Sequence, residues 1–182
     1  MRKVFFIILS FLIVLGIGAI SSFAFFDIYD FYLRNRYPLA YEDYINKYSA
    51  EFSLDPALIG SVIYEESRFR SGSISEKGAM GLMQILPETA VYIAEKTHDL
   101  YFDTKNLNNE ETNIKYGCYY LSYLFHKYDD LDKVLAAYNA GEGNVDKWIE
   151  EGKFEIKFTE TSNFVERVIR SKAIYEKLYF AE

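Results

Sequence analysis

The chain has 182 residues, a formal net charge of −7 and 18% aromatic residues. This suits one domain with a sizeable aromatic core plus an appendage. The acidity argues against a nucleic-acid partner, because phosphate binding needs clusters of Lys and Arg. The single Cys118 excludes an intramolecular disulfide, and no Cys/His spacing resembles a metal site. We therefore expect no nucleic-acid partner, no metal and no cofactor.

The N-terminus is the most apolar part of the chain. Arg2 and Lys3 precede residues 4–26, which carry no charge and at about 1.5 Å per residue can cross a hydrocarbon core of roughly 30 Å. We predict that residues 1–36 form a single-pass transmembrane signal anchor with an aromatic juxtamembrane belt. A separate domain, residues 37–182, then lies on the extracytoplasmic side of the cell membrane. A small-x-small site at residues 22–24 leaves cleavage of the anchor open.

Beyond Pro38 the apolar spacing is helical rather than alternating. It predicts a mainly α domain whose helices cover residues 41–52, 54–70, 87–96, 108–127, 131–139 and 160–179. We predict a short turn over residues 145–149, with Gly141 and Gly143 as helix stops. Residues 154–158 are the one strand candidate, and they are too few to pair alone.

The segment 54–70 has the strongest helical signals in the chain. Asp55 is a suitable N-cap, and Pro56 fits the first helical position, where a missing N–H costs nothing. Helical spacing places five residues on one face: Leu58, Ile59, Val62, Ile63 and Glu66. The apolar face of this predicted helix therefore ends in a carboxyl group.

A carboxyl group on a buried helix face tends to keep its proton, because burial disfavours the charged form. Glu66 is therefore a candidate general acid. The alternative is a partly exposed Glu66 that forms a salt bridge with Arg68 or Arg70. The neighbouring Glu65 is rotated by about 100° and points elsewhere.

Further motifs follow that helix. Gly78 and Gly81 allow close backbone approach, either to a ligand or to a crossing helix. Five blocks then occur in order along the chain: Glu66-Ser67-Arg68-Phe69, Ser75-x-x-Gly78-Ala79-x-Gly81-Leu82-Met83-Gln84, Asn113-Ile114-x-x-Gly117-x-x-Tyr120-Leu121, Ala136-Ala137-Tyr138-Asn139-Ala140-Gly141, and Phe158-x-Glu160-Thr161. Together they resemble the lysozyme-like catalytic domain of the soluble lytic transglycosylase type, over residues 41–179.

The resemblance implies an α-helical domain with a cleft and a non-hydrolytic activity on peptidoglycan glycan strands. Such enzymes cut the β-1,4 bond between N-acetylmuramic acid and N-acetylglucosamine and leave a 1,6-anhydromuramyl end. One glutamic acid acts first as general acid and then as general base. The muramyl acetamido group assists, so no second enzyme carboxylate is needed.

By motif position, that glutamic acid is Glu66. The resemblance also implies six substrate-binding or positioning residues: Ser67, Met83, Gln84, Tyr138, Asn139 and Glu160. Met83 and Gln84 are expected to line the cleft beside the scissile bond. Tyr138 and Asn139 are expected to position the catalytic carboxyl group and the muramyl sugar.

The last block departs from the family pattern, which continues Glu-Thr-Arg-x-Tyr-Val. Here Ser162 and Phe164 replace the Arg and the Tyr, so we expect the loss of one cleft donor and reduced or retuned activity. Two alternatives remain open. One is a hydrolase on the same fold, which uses Glu66 with Glu76 to activate water. The other is a membrane-tethered glycan-binding module with weakened catalysis.

Overall fold

The computed structural model describes residues 27–181. The chain divides into two compact units, one ending at Pro38 and the other beginning at Leu39. In the first unit, residues 27–36 form a helix, α1. The predicted anchor, residues 4–26, lies outside the described residues. Within residues 27–181, every helix is too short or too polar to cross a bilayer.

The second unit is built of helices, as the sequence predicted, with a long loop over residues 68–86 between two of them. In chain order the helices are α2 (Glu42–Phe52), α3 (Pro56–Ser67), α4 (Pro87–Thr97), a 3₁₀ helix (Thr104–Asn108), α5 (Glu110–Tyr128), α6 (Leu131–Ala140), α7 (Glu142–Glu150), α8 (Thr159–Tyr175) and a π-helix (Glu176–Phe180). The described residues contain no extended strand, only isolated bridges from Met80 to Ile74 and Ile85. The fold is therefore mainly α.

Helix α3 is the central element of this unit. Its start is as predicted, with the Asp55 carboxylate accepting a hydrogen bond from the Ala57 amide at 2.8 Å and with Pro56 in the first turn. Every residue from Ala57 to Tyr64 is buried, so α3 is buried all round rather than on one stripe. Helix α8 packs along α3 and forms much of its surroundings.

The loop between α3 and α4 is fixed onto α5 by one buried amide. The Asn113 side chain is fully buried. Its Nδ2 donates to the carbonyl oxygens of Met80 (2.8 Å) and Leu107 (3.0 Å), and its Oδ1 accepts from the Met83 amide at 2.8 Å. A Cβ atom on Gly81 would lie 2.2 Å from the Asn113 amide nitrogen. The predicted close approach at Gly81 is therefore made to this side chain.

The structure differs from the sequence predictions at the C-terminal end. Residues 142–150 form a full helix, α7, rather than a short turn, because Val145 and Trp148 are buried on one side of it. Gly141 does end α6, with φ of +85°, whereas Gly143 lies inside α7. Residues 154–158 have no regular structure, since the described chain offers them no strand partner.

Candidate active site

A cleft of about 850 Å³ opens beside the C-terminal end of α3. Glu66 lines it from α3, and Tyr120 lines it from α5. One wall is the α3–α4 loop with the start of α4 and includes Ser75, Glu76, Lys77, Gln84 and Glu88. The other wall consists of the end of α6, the start of α7 and the start of α8 with the residue before it, and it includes Tyr138, Asn139, Asn144, Phe158, Glu160 and Thr161. Residues far apart in sequence thus meet around one carboxyl group.

The Glu66 side chain is partly buried. Burial raises its pKa to about 8, with nearby Glu160 and Glu65 adding to the rise and Arg167 opposing it. Among residues 27–181 the Glu66 carboxyl group has no hydrogen bond or ion pair, so nothing there stabilises the charged form by direct contact. A carboxyl group with a pKa of about 8 is mostly protonated at neutral pH and can donate a proton.

The adjacent Glu65, rather than Glu66, forms the ion pair with Arg68 and has a second one with Arg167. Its side chain is 4% exposed and lies 3.1 Å from the Arg68 guanidinium and 3.2 Å from that of Arg167. Arg70 instead donates to the Ser67 carbonyl oxygen at 3.0 Å. The alternative of a Glu66 salt bridge to Arg68 or Arg70 is therefore not what the structure contains.

Tyr138 and Asn139 are held at the cleft by hydrogen bonds to other elements. The Tyr138 hydroxyl donates to the Met83 carbonyl oxygen at 2.7 Å, and burial, followed by the charge of Glu66, raises the Tyr138 pKa well above its usual value. The Asn139 carbonyl oxygen accepts a hydrogen bond from the Thr161 hydroxyl at 2.8 Å. The end of α6 is therefore tied to both walls of the cleft.

Gln84 lines the cleft in a left-handed backbone conformation, with φ of +49°. Its side-chain amide nitrogen donates to the carbonyl oxygens of Gly81 (2.8 Å) and Ser73 (3.1 Å). Its side-chain oxygen has no hydrogen bond within residues 27–181 and can accept one from a ligand. Met83 is fully buried instead and occupies the space beside Gly117, where a Cβ would lie 2.2 Å from its sulfur.

Of the two remaining predicted residues, Ser67 lies outside the cleft lining, whereas Glu160 belongs to it. Ser67 is buried, and its hydroxyl donates to the Ile63 carbonyl oxygen within α3. Glu160 lines the cleft but is exposed, 3.5 Å from Lys77 on the opposite wall. Glu160 was predicted as a substrate-binding or positioning residue, and the hydrogen bond to Asn139 is made by the neighbouring Thr161. Phe164 is buried in the core.

Two positioning residues were missed at the level of the sequence. Asn113 and Thr161 both stand in the quoted blocks, but neither was given a role. Asn113 stands between Thr112 and the apolar Ile114, and this neighbourhood carries no clear signal of a buried amide. Nothing in the sequence shows that Thr161, rather than Glu160, reaches Asn139.

An all-helical domain whose cleft contains one partly buried glutamic acid has the architecture of the lysozyme-like class of folds. Within that class, the chain belongs to the transglycosylase SLT domain family, whose model matches residues 43–160. This confirms the family that the sequence blocks resemble.

Individual relatives agree with this assignment. The chain is 31% identical over 156 residues to the soluble lytic murein transglycosylase of Escherichia coli, covering 79% of this chain and 24% of that one. It is 32% identical over 136 residues to a membrane-bound lytic murein transglycosylase F of Desulfosudis oleivorans, covering 70% of this chain and 28% of that one.

Solved structures show the same fold. An inactive mutant of the lytic transglycosylase Slt of Pseudomonas aeruginosa superimposes with a TM-score of 0.75 at 28% identity, covering 82% of this chain and 26% of that one. The chain thus spans about a quarter of the length of these relatives.

Proposed function

We propose that this protein is a peptidoglycan lytic transglycosylase and that Glu66 is its catalytic acid and base. The observation that carries the proposal is the Glu66 carboxyl group, which faces a cleft of about 850 Å³ and has a pKa raised to about 8 by burial. The names of the relatives support the same activity.

The first step uses the proton that Glu66 holds at neutral pH. Glu66 donates it to the glycosidic oxygen between N-acetylmuramic acid and N-acetylglucosamine, the C–O bond breaks, and the glucosamine side leaves as an alcohol. Positive charge develops at the muramyl C1 atom. The muramyl acetamido oxygen stabilises that charge, which removes the need for a second enzyme carboxylate.

The second step uses the carboxylate that the first step produced. Glu66 removes the proton of the muramyl C6 hydroxyl, and the C6 oxygen bonds to C1. The product is a 1,6-anhydromuramyl end, and Glu66 recovers its proton, so the cycle consumes no water. Raising the pKa of Glu66 towards neutrality suits both steps, because neither proton transfer is then strongly uphill.

The other cleft residues are proposed to position the glycan relative to the Glu66 carboxyl group. The side-chain oxygen of Gln84 can accept a hydrogen bond from a sugar hydroxyl or amide. The Asn139 side-chain oxygen is bound by the Thr161 hydroxyl, and its amide nitrogen can donate to a sugar. Tyr138 ties α6 to the Met83 carbonyl oxygen. In this proposal, Met83 and Ser67 act through packing and α3 geometry, because both are buried outside the cleft lining.

A hydrolase is the second candidate, because Glu76 lines the same cleft as Glu66. A second carboxylate in reach of the scissile bond could activate a water molecule for attack at C1. Hydrolysis would leave a reducing muramic acid end instead of an anhydro end. The two candidates therefore differ by the mass of one water molecule in each product.

Product analysis tests the proposal directly. Purified peptidoglycan sacculi are digested with the detergent-solubilised full-length chain, and the released fragments are measured by mass spectrometry. We expect muropeptides with 1,6-anhydromuramyl ends. Fragments with reducing ends alone would favour the hydrolase, and binding to sacculi without fragment release would favour a glycan-binding module.

We also propose that residues 1–36 anchor the protein in the cell membrane, with residues 37–182 as the extracytoplasmic catalytic domain. Residues 4–26 carry no charge, and α1 exposes Ile28 and Phe31 at 68% and 75%. An apolar face next to an uncharged segment suits the interface of a bilayer.

Fractionation of cells tests this anchoring. The full-length chain is expected in the membrane fraction, resistant to salt and carbonate washes and released by detergent. A variant lacking residues 4–26, exported by an unrelated cleavable signal peptide, is expected in the wash. Recovery of the full-length chain without detergent would contradict the anchor.

A further inference from the structure

Glu65, the residue before the proposed catalytic acid, is a buried carboxylate with three partners. Its Oε1 atom accepts a hydrogen bond of 2.5 Å from the Ser171 hydroxyl. Its Oε2 atom lies 3.1 Å from Arg68 Nη2 and 3.2 Å from Arg167 Nε. Such charge-assisted bonds are stronger than neutral ones, and a buried carboxylate needs them.

These partners join two elements at the point where Glu66 is presented. Arg167 and Ser171 are one helical turn apart on α8, and Arg68 caps the C-terminal end of α3 with φ of +54°. The Arg68 guanidinium also lies 3.9 Å over the Tyr64 ring. The last turn of α3 is thus fixed to α8 through Glu65, and any rotation of that turn would move Glu66 as well.

Arg167 and Glu65 also contribute opposite charges close to Glu66. Arg167 lowers the pKa of Glu66, whereas Glu65 raises it. The other ionisable groups around the cleft come from five elements that border it: Glu160 on α8, Tyr138 on α6, Tyr120 on α5, Glu76 and Lys77 on the α3–α4 loop, and Glu88 on α4. Of the two basic residues, Lys77 lies near Glu160 across the cleft. Arg167 instead forms an ion pair with Glu65, the residue next to Glu66.

We propose that Glu65 and Arg167 form a positioning pair, which holds the last turn of α3 on α8 and balances the charge next to Glu66. This inference rests on the proposed role of Glu66 and goes beyond it, since neither residue of the pair lines the cleft. Breaking the pair from either side therefore changes the charge around Glu66 in opposite directions.

The test is the pH dependence of kcat/KM for Glu65→Gln, Arg167→Gln and the double variant. Because Glu66 must be protonated to start the reaction, activity falls as pH rises through its pKa. Glu65→Gln removes a negative charge and frees Arg167, so the falling limb moves to lower pH by about 0.5–1 unit. Arg167→Gln removes a positive charge, so the limb moves to higher pH by a similar amount. In the double variant the two charge changes cancel, and the falling limb lies close to its native position.

Three further variants separate charge from structure. Arg167→Lys keeps the positive charge, so the falling limb of the pH profile stays at its native position. Ser171→Ala removes an uncharged partner, so kcat falls about twofold to tenfold while the limb stays in place. Glu111→Gln, which breaks the ion pair with Lys47 between α2 and α5, changes the net charge as Glu65→Gln does and leaves both limb and kcat unchanged.

A second readout does not depend on catalysis. The pH titration of the Glu66 carboxyl carbon, followed by ¹³C NMR in the free protein and assigned with Glu66→Gln, should show the same opposite shifts. Unchanged or same-direction shifts in the two single variants would overturn the positioning pair. If Glu66→Gln stays active while the NMR shifts occur, the proposed function fails and the pair stands.

Discussion

Replacement of Glu66 by Gln is expected to abolish the formation of anhydromuramyl ends, with a rate loss of about 10²–10⁴-fold. Gln is close to Glu in size but can neither donate an acidic proton nor accept one. The cleft is expected to stay intact, because the Glu66 carboxyl group has no hydrogen bond or ion pair within the described chain that the amide could break. Mass spectrometry of digested sacculi measures the product, and a thermal melt checks the fold.

Two neighbouring carboxylates provide matched controls. Glu65→Gln keeps the anhydro product when assayed at its own optimum pH, because Glu65 faces α8 rather than the cleft. Glu76→Gln also keeps the anhydro product if the muramyl C6 hydroxyl attacks C1. A hydrolase that uses Glu76 to activate water would instead lose its reducing-end product. Anhydro product from Glu66→Gln at the native rate would show that another group carries the chemistry.

Glu66 was proposed from the sequence as the catalytic acid because the apolar spacing of its helix and its motif position agree, and its catalytic role stays a prediction. The spacing argument predicted a carboxyl group on a buried helix face with a raised pKa, and Glu66 is partly buried with a raised pKa, but the argument is incomplete. α3 is buried all round, so helix periodicity alone does not separate Glu66 from Glu65, which is also partly buried. What separates them is the set of partners on α8, Arg167 and Ser171, which lie more than 100 residues away in sequence.

The helices could be predicted more fully than the side-chain positions. Caps and apolar spacing are local properties, and they gave α2 to α6 and α8 to within a few residues. The placement of Met83 is not local, because it depends on Asn113 holding the loop and on Gly117 leaving room for the sulfur. A flexible apolar side chain in a loop can face a cleft or the core, and only the partner helix decides which.

Asn113 is therefore a residue whose loss should destabilise the fold strongly. It is fully buried and satisfies three backbone groups: the Met83 amide and the carbonyl oxygens of Met80 and Leu107. Asn113→Ala leaves those groups without these partners, and each unsatisfied buried group costs about 1–3 kcal/mol. We expect the free energy of unfolding to fall by about 3–5 kcal/mol, as measured by urea denaturation with circular dichroism.

Asn109→Ala is the matched control on the same helix. Asn109 is an exposed N-cap of α5 that accepts from the Thr112 amide at 2.9 Å, so its loss should cost about 1 kcal/mol.

Activity separates the two variants further. Met83 donates its amide to Asn113 and accepts from Tyr138, so release of the loop by Asn113→Ala also frees the Tyr138 side of the cleft. The loop would be held by other contacts if both variants were destabilised equally. The same would follow if Asn113→Ala, assayed at a temperature well below its Tm, had the native kcat.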